Sequence, residues 1–132
     1  MNKQLATRIM SWHIDNGGFC NGPADYQAHA LRLLHEATEL CLACGATPGQ
    51  IQGVGANECA KHASRHSPGE IDFDSIGEEI ADVAILLGVL STYTNNPIVS
   101  HVDTKLDVLL NRQWDADEHG VLWRRRDEEP AL

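Results

Sequence analysis

The sequence is short of basic residues, with 10 Lys and Arg against 19 Asp and Glu and a formal net charge of −9. Non-specific binding of nucleic acid depends on a basic surface, so this composition argues against such a partner. An acidic protein can still bind a nucleotide when a bound cation reverses the local charge. The composition therefore disfavours nucleic acid but leaves nucleotide ligands open.

Long apolar runs are also missing. No uninterrupted apolar segment reaches the roughly 18 residues of a membrane-spanning helix, and residues 1–15 lack the apolar core of a signal peptide. We therefore expect a cytoplasmic protein, in the cytoplasm of a host cell if it is viral, with no membrane partner. In that compartment its four cysteines stay reduced. The sequence also contains no P-loop, no dinucleotide-binding fingerprint and no Gly-x-Ser-x-Gly motif.

Alternation typical of a β-strand is confined to residues 121–123, whereas helical periodicity recurs along most of the chain. The patterns predict helices over about 2–16, 23–44, 47–66, from 75 past 90, and 97–114. We expect an all-α bundle of four to five helices over residues 1–114, in which 47–66 is an extra, glycine-weakened helical segment. Residues 115–132 form a charged C-terminal tail, in which 124–126 against 127–129 is predicted to be a solvated strand pair or disordered.

The predicted helix around residues 80–90 is apolar almost all round, and Asp82 is its one charged residue. A helix that is apolar on every side has to be buried on every side. Five helices provide little material to cover it, so we expect a second copy to do so, in a homodimer or homotetramer.

Two acidic motifs, Glu36-Ala-Thr-Glu39 and Glu79-Ile-Ala-Asp82, each place two carboxylates three residues apart on one helix face. Asp82 has no Lys or Arg within four residues, and a buried carboxylate without a partner costs many kcal/mol. Hard divalent cations with oxygen ligands commonly neutralise such groups. Glu36, Glu39, Glu79 and Asp82 are therefore predicted to form a Mg²⁺ site, which Mn²⁺ could also occupy.

The segments 34–40 and 78–83 together resemble the ExxE…ExxD signature of the MazG-like, all-α nucleoside triphosphate pyrophosphohydrolases. Lys105, Arg112 and Trp114 are similar to the K-x₆-R-x-W segment of phage-type members of that family. The resemblance covers about 26–44 and 75–124, which is well over half of the chain.

The resemblance implies hydrolysis of a (d)NTP between the α and β phosphates, giving the monophosphate and pyrophosphate. The four carboxylates would hold Mg²⁺, and Glu36 or Glu39 would take the proton from the attacking water. Lys105 and Arg112 would contact the phosphates. An ion pair between either of these two cations and the acidic helices is the alternative.

The substrate is less closely specified. Phage-type members include MazZ-like proteins that hydrolyse dGTP, which suggests a purine nucleotide and a role in a viral nucleotide pool. A dUTPase or a phosphoribosyl-ATP pyrophosphatase on the same fold is the sister interpretation. Aromatic and imidazole rings suited to stacking on a base form the candidate base pocket, namely Trp12, Phe19, Tyr26 and His29.

The chain departs from the phage-type pattern at Leu109, where many members carry Asn four residues after the lysine. Asn111 is near in sequence but belongs to another side of the helix, so the Asn role is not transferred to it. The segment 47–66 is also longer than the resemblance accounts for.

A separate hypothesis concerns zinc. Two pairs of residues have the spacing of a four-ligand Zn²⁺ site, namely Cys41, Cys44, Cys59 and His62. Cys41 and Cys44 also suit apolar positions on the helix that carries Glu36, and free cysteine packs well in cores. If zinc were bound, the chain could instead be a non-catalytic helical interaction module whose acidic face binds a partner.

Overall fold

The computed structural model describes residues 1–125. In that range the chain is mostly helical, which confirms the all-α prediction apart from one short hairpin. The elements are α1 (Lys3–Asp15), α2 (Pro23–Ala43), α3 (Pro48–His62), α4 (Phe73–Tyr93), α5 (Ile98–Leu110), β1 (Trp114–Ala116) and β2 (Leu122–Arg124). None of the helices in this range combines the length and the apolar character needed to cross a membrane.

Local capping chemistry explains most helix boundaries. Thr47 and Gln50 form the predicted capping box at the start of α3, with the Thr47 hydroxyl accepting from the Gln50 amide at 3.1 Å. Gly45, at φ +93°, follows the end of α2 in the left-handed conformation expected there. The start of α4 differs from the prediction, because Asp72 rather than Ser75 caps it. The Asp72 carboxylate accepts from the Ser75 amide at 3.3 Å, so the helix begins earlier.

The last helix is shorter than its periodicity predicts. It ends at Leu110, and Trp114 belongs to β1 instead of the final helical turn. β1 pairs with β2 in an antiparallel hairpin in which Trp114 lies opposite Arg124. This hairpin is a different pairing from the one predicted, which set 124–126 against 127–129 and lies mostly outside the described residues.

The small core lies where the two ends of the described chain meet. α1 packs against α5, where Leu5 and Leu106 are buried, and Arg8 forms an ion pair with Asp103. In the hairpin, Val121 and Leu122 are also buried. Residues predicted as a charged tail thus contribute two of the most buried apolar side chains among those described.

α4 has the opposite character. None of its residues is buried, and Ile80 and Leu86 are 64% and 67% exposed. It makes at most slight contact with the other helices of the described chain. Within residues 1–125 no element covers this helix, so its burial by a second copy stays a prediction.

Candidate active site

The largest cleft described lies between α2, α5, the end of α1 and the hairpin, and has a volume of about 850 Å³. It brings together residues from both ends of the sequence. Its lining includes acidic, basic and aromatic side chains, namely Trp12, His13, His29, Arg32, Leu33, His35, Glu36, Glu39, Lys105, Leu109, Arg112, Trp114, Val121, Leu122, Trp123 and Arg124.

Two of the predicted metal ligands, Glu36 and Glu39, line this cleft from α2. Both are solvent-exposed in the single chain. The Arg32 guanidinium donates to Glu36 Oε1 at 2.8 Å from one helical turn away, which partly neutralises the carboxylate. This side of α2 therefore presents two accessible carboxylates, one of them already paired with a cation.

The two predicted phosphate-binding cations, Lys105 and Arg112, line the same cleft. Arg112 lies just beyond the end of α5, yet it remains on the cleft side. Neither side chain forms a salt bridge within residues 1–125. The alternative in which they pair with the acidic helices is therefore wrong for the described chain, and both cations are free to contact an anionic ligand.

The two positions that depart from the phage-type pattern take different places. Leu109 lines the cleft as an apolar residue. The Asn111 side chain instead donates to the Asp107 carbonyl at 2.9 Å, at the end of α5. Asn111 thus ends the helix and does not replace the missing Asn in the cleft.

The hairpin supplies a cleft wall that sequence reasoning missed. The Arg32 guanidinium lies 4.7 Å from the Trp123 ring centroid, within cation–π range, and the His35 ring meets the same indole edge-on at 5.2 Å. Arg32 and His35 are three residues apart on α2, so Trp123 lies against one turn of that helix. No local pattern reveals this contact, which joins residues about ninety positions apart.

Buried polar contacts fasten the hairpin to the start of α2. Asp25 accepts from the Asn21 amide at 2.7 Å and pairs with His119 Nδ1 at 2.9 Å. The pKa of Asp25 is held below its ordinary value by the Asn21 amide first and by His119 second. The hydrogen bond to Asp25 raises the pKa of His119. Both shifts favour the charged pair that fixes the hairpin.

The candidate base pocket is only partly assembled. Trp12 and His29 line the cleft, whereas Phe19 and Tyr26 do not. The Tyr26 ring packs edge-on against Phe73 at 6.5 Å, so it is engaged at the start of α4. Phe19 contributes its backbone instead, because its carbonyl lies 2.9 Å from His29 Nε2. Since a carbonyl only accepts, His29 donates from Nε2 and keeps Nδ1 as an acceptor.

Trp12 carries an unusual polar atom. Its indole Nε1 is buried and has no hydrogen-bond partner in the part of the chain that the structure describes. The ring packs edge-on against Trp114 at 5.2 Å. Buried donors are nearly always paired in folded proteins, so this N–H is an exception, and its negligible accessible surface keeps it out of reach of a ligand in the cleft.

The second acidic motif does not join the first. Glu79 and Asp82 are exposed on α4, and neither lines the cleft. Across residues 1–125, no three acidic, histidine or cysteine side chains come close enough together to hold a metal ion. A single chain therefore presents half of the predicted carboxylate set in the cleft and the other half on a separate helix.

The candidate zinc ligands are not gathered either. The three cysteines are exposed and free, and His62 faces Glu58 at 3.5 Å. Within residues 1–125, no group of three potential metal ligands includes any of them. The spacing that suggested zinc thus has no counterpart in the described fold.

Comparison with known proteins adds no relative: no family model, curated protein or solved structure matches this chain.

Proposed function

We propose that this protein is a Mg²⁺-dependent pyrophosphohydrolase that cleaves a nucleoside triphosphate between its α and β phosphates. The observation that carries the proposal is that Glu36 and Glu39 share one cleft with Lys105 and Arg112, two cations that form no ion pair within residues 1–125. These residues are far apart in sequence, and carboxylates that face free cations across a cleft suit a metal-bound polyphosphate.

When bound, Mg²⁺ would be held by Glu36, Glu39, Glu79 and Asp82, would neutralise phosphate charge and would lower the pKa of a water molecule. The chain's own groups do the rest. Glu36 or Glu39 accepts the proton of the attacking water. Lys105 and Arg112 orient the phosphates and stabilise the charge that develops on the departing pyrophosphate.

The base end of the substrate is assigned to the part of the cleft lined by Trp12 and His29. The Trp12 and His29 rings line the cleft there, so they offer surfaces on which a base can stack. A purine has a larger ring system than a pyrimidine and would cover more of that surface. This assignment, with dGTP as the first substrate to test and a phage nucleotide pool as the setting, is part of the proposal.

One assay tests the proposed cleavage and also separates it from the dUTPase and phosphoribosyl-ATP pyrophosphatase activities. The eight common NTPs and dNTPs, together with dUTP and phosphoribosyl-ATP, are incubated with the protein in Mg²⁺ and in EDTA. Formation of monophosphate and pyrophosphate in Mg²⁺ alone is the expected result, with dGTP the best substrate. Release of orthophosphate would contradict the cleavage position, and an absence of turnover on every compound would overturn the proposed function.

A variant tests the residue assignment. Asp82→Asn removes one charge at an exposed position, so the fold should be kept. Metal-dependent turnover should fall by at least about 100-fold, because a proposed ligand is lost. Circular dichroism and thermal unfolding of the variant provide the control for folding.

A further inference from the structure

The exposed surface of α4 requires a partner. Most of its apolar side chains are exposed, with Ile80, Ile85 and Leu86 between 64% and 67% exposed. Contiguous apolar surface of this extent on a folded chain is characteristic of an interaction site. A partner that covers it has to supply another apolar face of similar length.

The total accessible surface area indicates how much surface a partner would cover. The chain exposes 10268 Å², whereas a folded monomer of 14.5 kDa exposes about 6900 Å². About 1200 Å² is subtracted for the part of the chain outside residues 1–125, since seven residues of any chain expose no more than about that area. About 2000 Å² then remains for each copy, which is within the range that obligate dimers bury.

The same chain offers the matching surface. α2 has the same 21-residue length as α4, and it exposes Leu33 and Leu40 three residues before and four residues after Glu36, on the same side of the helix. In a two-fold dimer, a contact of α4 with α2 of the partner is made twice, so one pairing covers both surfaces. A second copy of this chain is therefore the occupant to which these surfaces correspond.

We propose that α4 of one copy packs against α2 of another, so that Glu79 and Asp82 of the first complete the metal site begun by Glu36 and Glu39 of the second. This inference rests on the proposed function, since it locates the metal site of the same reaction. Within one described chain the two carboxylate pairs do not gather. The shared site explains in one step why α4 is bare and why the cleft holds half of the ligand set.

The apolar residues around the acidic pair fit this arrangement. Ile80 and Val83 flank Glu79 and Asp82 along α4, so docking would surround the carboxylates with apolar side chains. Excluding water from the site strengthens the attraction between the carboxylates and a divalent cation. Without that cation the four charges would repel, so metal binding and dimer formation should reinforce each other.

Complementation between two defective chains tests the proposal. Glu36→Gln and Asp82→Asn chains are co-expressed with different affinity tags, and bound Mn²⁺ per chain is measured along with hydrolysis. Each variant alone should retain less than about a tenth of the wild-type metal binding. In a random mixture, about one quarter of shared sites combine an intact α2 with an intact α4, so about a quarter of the metal binding returns.

The outcomes separate this inference from the proposed function. A mixture that binds no more Mn²⁺ than either variant alone would overturn the shared site, because every site built within one chain keeps one defect. Recovery of a quarter of Mn²⁺ binding without any nucleotide hydrolysis would support the shared site and contradict the pyrophosphohydrolase. Wild-type protein that binds no Mn²⁺ would overturn both.

The interface itself is tested by a matched pair of valines. Val89 lies two helical turns from Asp82 on the same face of α4, whereas Val54 lies on α3 and is more exposed, at 65% against 45% for Val89. Val89→Asp should weaken self-association at least about 100-fold in sedimentation equilibrium, since it buries a charge in the apolar interface. Val54→Asp should leave association unchanged. Equal association of the two variants would contradict the assignment of α4 to the interface.

Discussion

The cleft region and α4 are built in opposite ways. Around the cleft, α1, α5 and the hairpin share buried residues, and ion pairs join positions from both ends of the sequence. α4 is more apolar, yet none of its residues is buried. Hydrophobic sequence therefore does not by itself locate the core of a single chain. In this protein the walls of the polar cleft are packed within one copy, whereas the apolar helix is left exposed.

The largest expected effect concerns the cleft. Glu36→Gln should lower Mg²⁺-dependent hydrolysis by at least about 100-fold, because a metal ligand and candidate base becomes a neutral amide. Steady-state kinetics on the best nucleotide measure the loss. Glu58→Gln is the matched control, since Glu58 is an exposed helical carboxylate on α3, outside the cleft. If both variants lost activity equally, the loss would come from removing any exposed carboxylate, and the assignment of Glu36 to the active site would be wrong.

A second prediction separates the two regions by dilution. Amide protons of α4 should exchange at least about tenfold faster when the protein is diluted below its dissociation constant, because their protection comes from a partner copy. Amides of α5 and the hairpin should not change, since their contacts lie within one chain. Hydrogen–deuterium exchange with mass spectrometry provides the measurement. If the exchange rate of the α4 amides did not depend on protein concentration, a partner copy would not be the source of their protection.

The sequence foretold the helices of this fold far better than its cleft. Helical spacing and capping are local, so the capping box at Thr47 and the glycine after α2 were predicted correctly. Asp72 was missed as a cap because a second capping pattern follows three residues later. The contact of Arg32 with Trp123 depends on how the ends of the chain meet, and no periodicity carries that information.

The predicted site residues also differ in how well the sequence placed them. Lys105 and Arg112 could be associated with Glu36 and Glu39 through the family resemblance, and the cleft brings these four together. The burial of Asp82 was inferred from its neighbours in sequence, and the single chain leaves it exposed. A composition argument predicts that such a helix needs covering, but it cannot say whether its own chain or another covers it.

The third prediction tests how firmly the hairpin is packed. A Cβ at Gly120 would lie 1.9 Å from the Phe19 carbonyl oxygen, and its φ of +78° disfavours any other residue. Gly120→Ala should lower the free energy of unfolding by at least about 2 kcal/mol. Gly45→Ala has a similar φ but open space around the Cβ, so it should cost about 1 kcal/mol. Urea unfolding compares the two, and equal losses would argue against tight packing at Gly120.

A smaller effect should appear with pH. The pKa of His119 is raised above its ordinary value of 6.5, so its stabilisation is complete below that value and is lost as the pH rises through the raised pKa. The pKa of Asp25 is lowered, so its contribution is lost only as the pH falls through that lowered value. Between about pH 6 and pH 9, the unfolding temperature should therefore fall slightly, by no more than about 3 °C.

His119→Gln provides the control, because its amide can still donate to Asp25 but does not titrate. Differential scanning calorimetry of both proteins across this pH range isolates the histidine. A fall of the same size in the variant would assign the pH dependence to other groups.

The smallest effect is expected at the cysteines. Replacing Cys41, Cys44 and Cys59 by Ser should leave the unfolding temperature within about 2 °C of the wild-type value, because the three thiols are exposed and free. Zinc measured by atomic emission should be absent from both proteins. Stoichiometric zinc that disappears in the triple variant would restore the hypothesis of a zinc-stapled segment.

The joining of both chain ends at the cleft has a consequence for the order of folding. Arg8 meets Asp103 and Asp25 meets His119 across more than ninety intervening residues, so each contact closes a long loop. Contacts of such high sequence separation form late, after local helices have appeared. During synthesis, α1 to α4 can become helical while the cleft does not yet exist. The cleft can form only after residue 124 has left the ribosome.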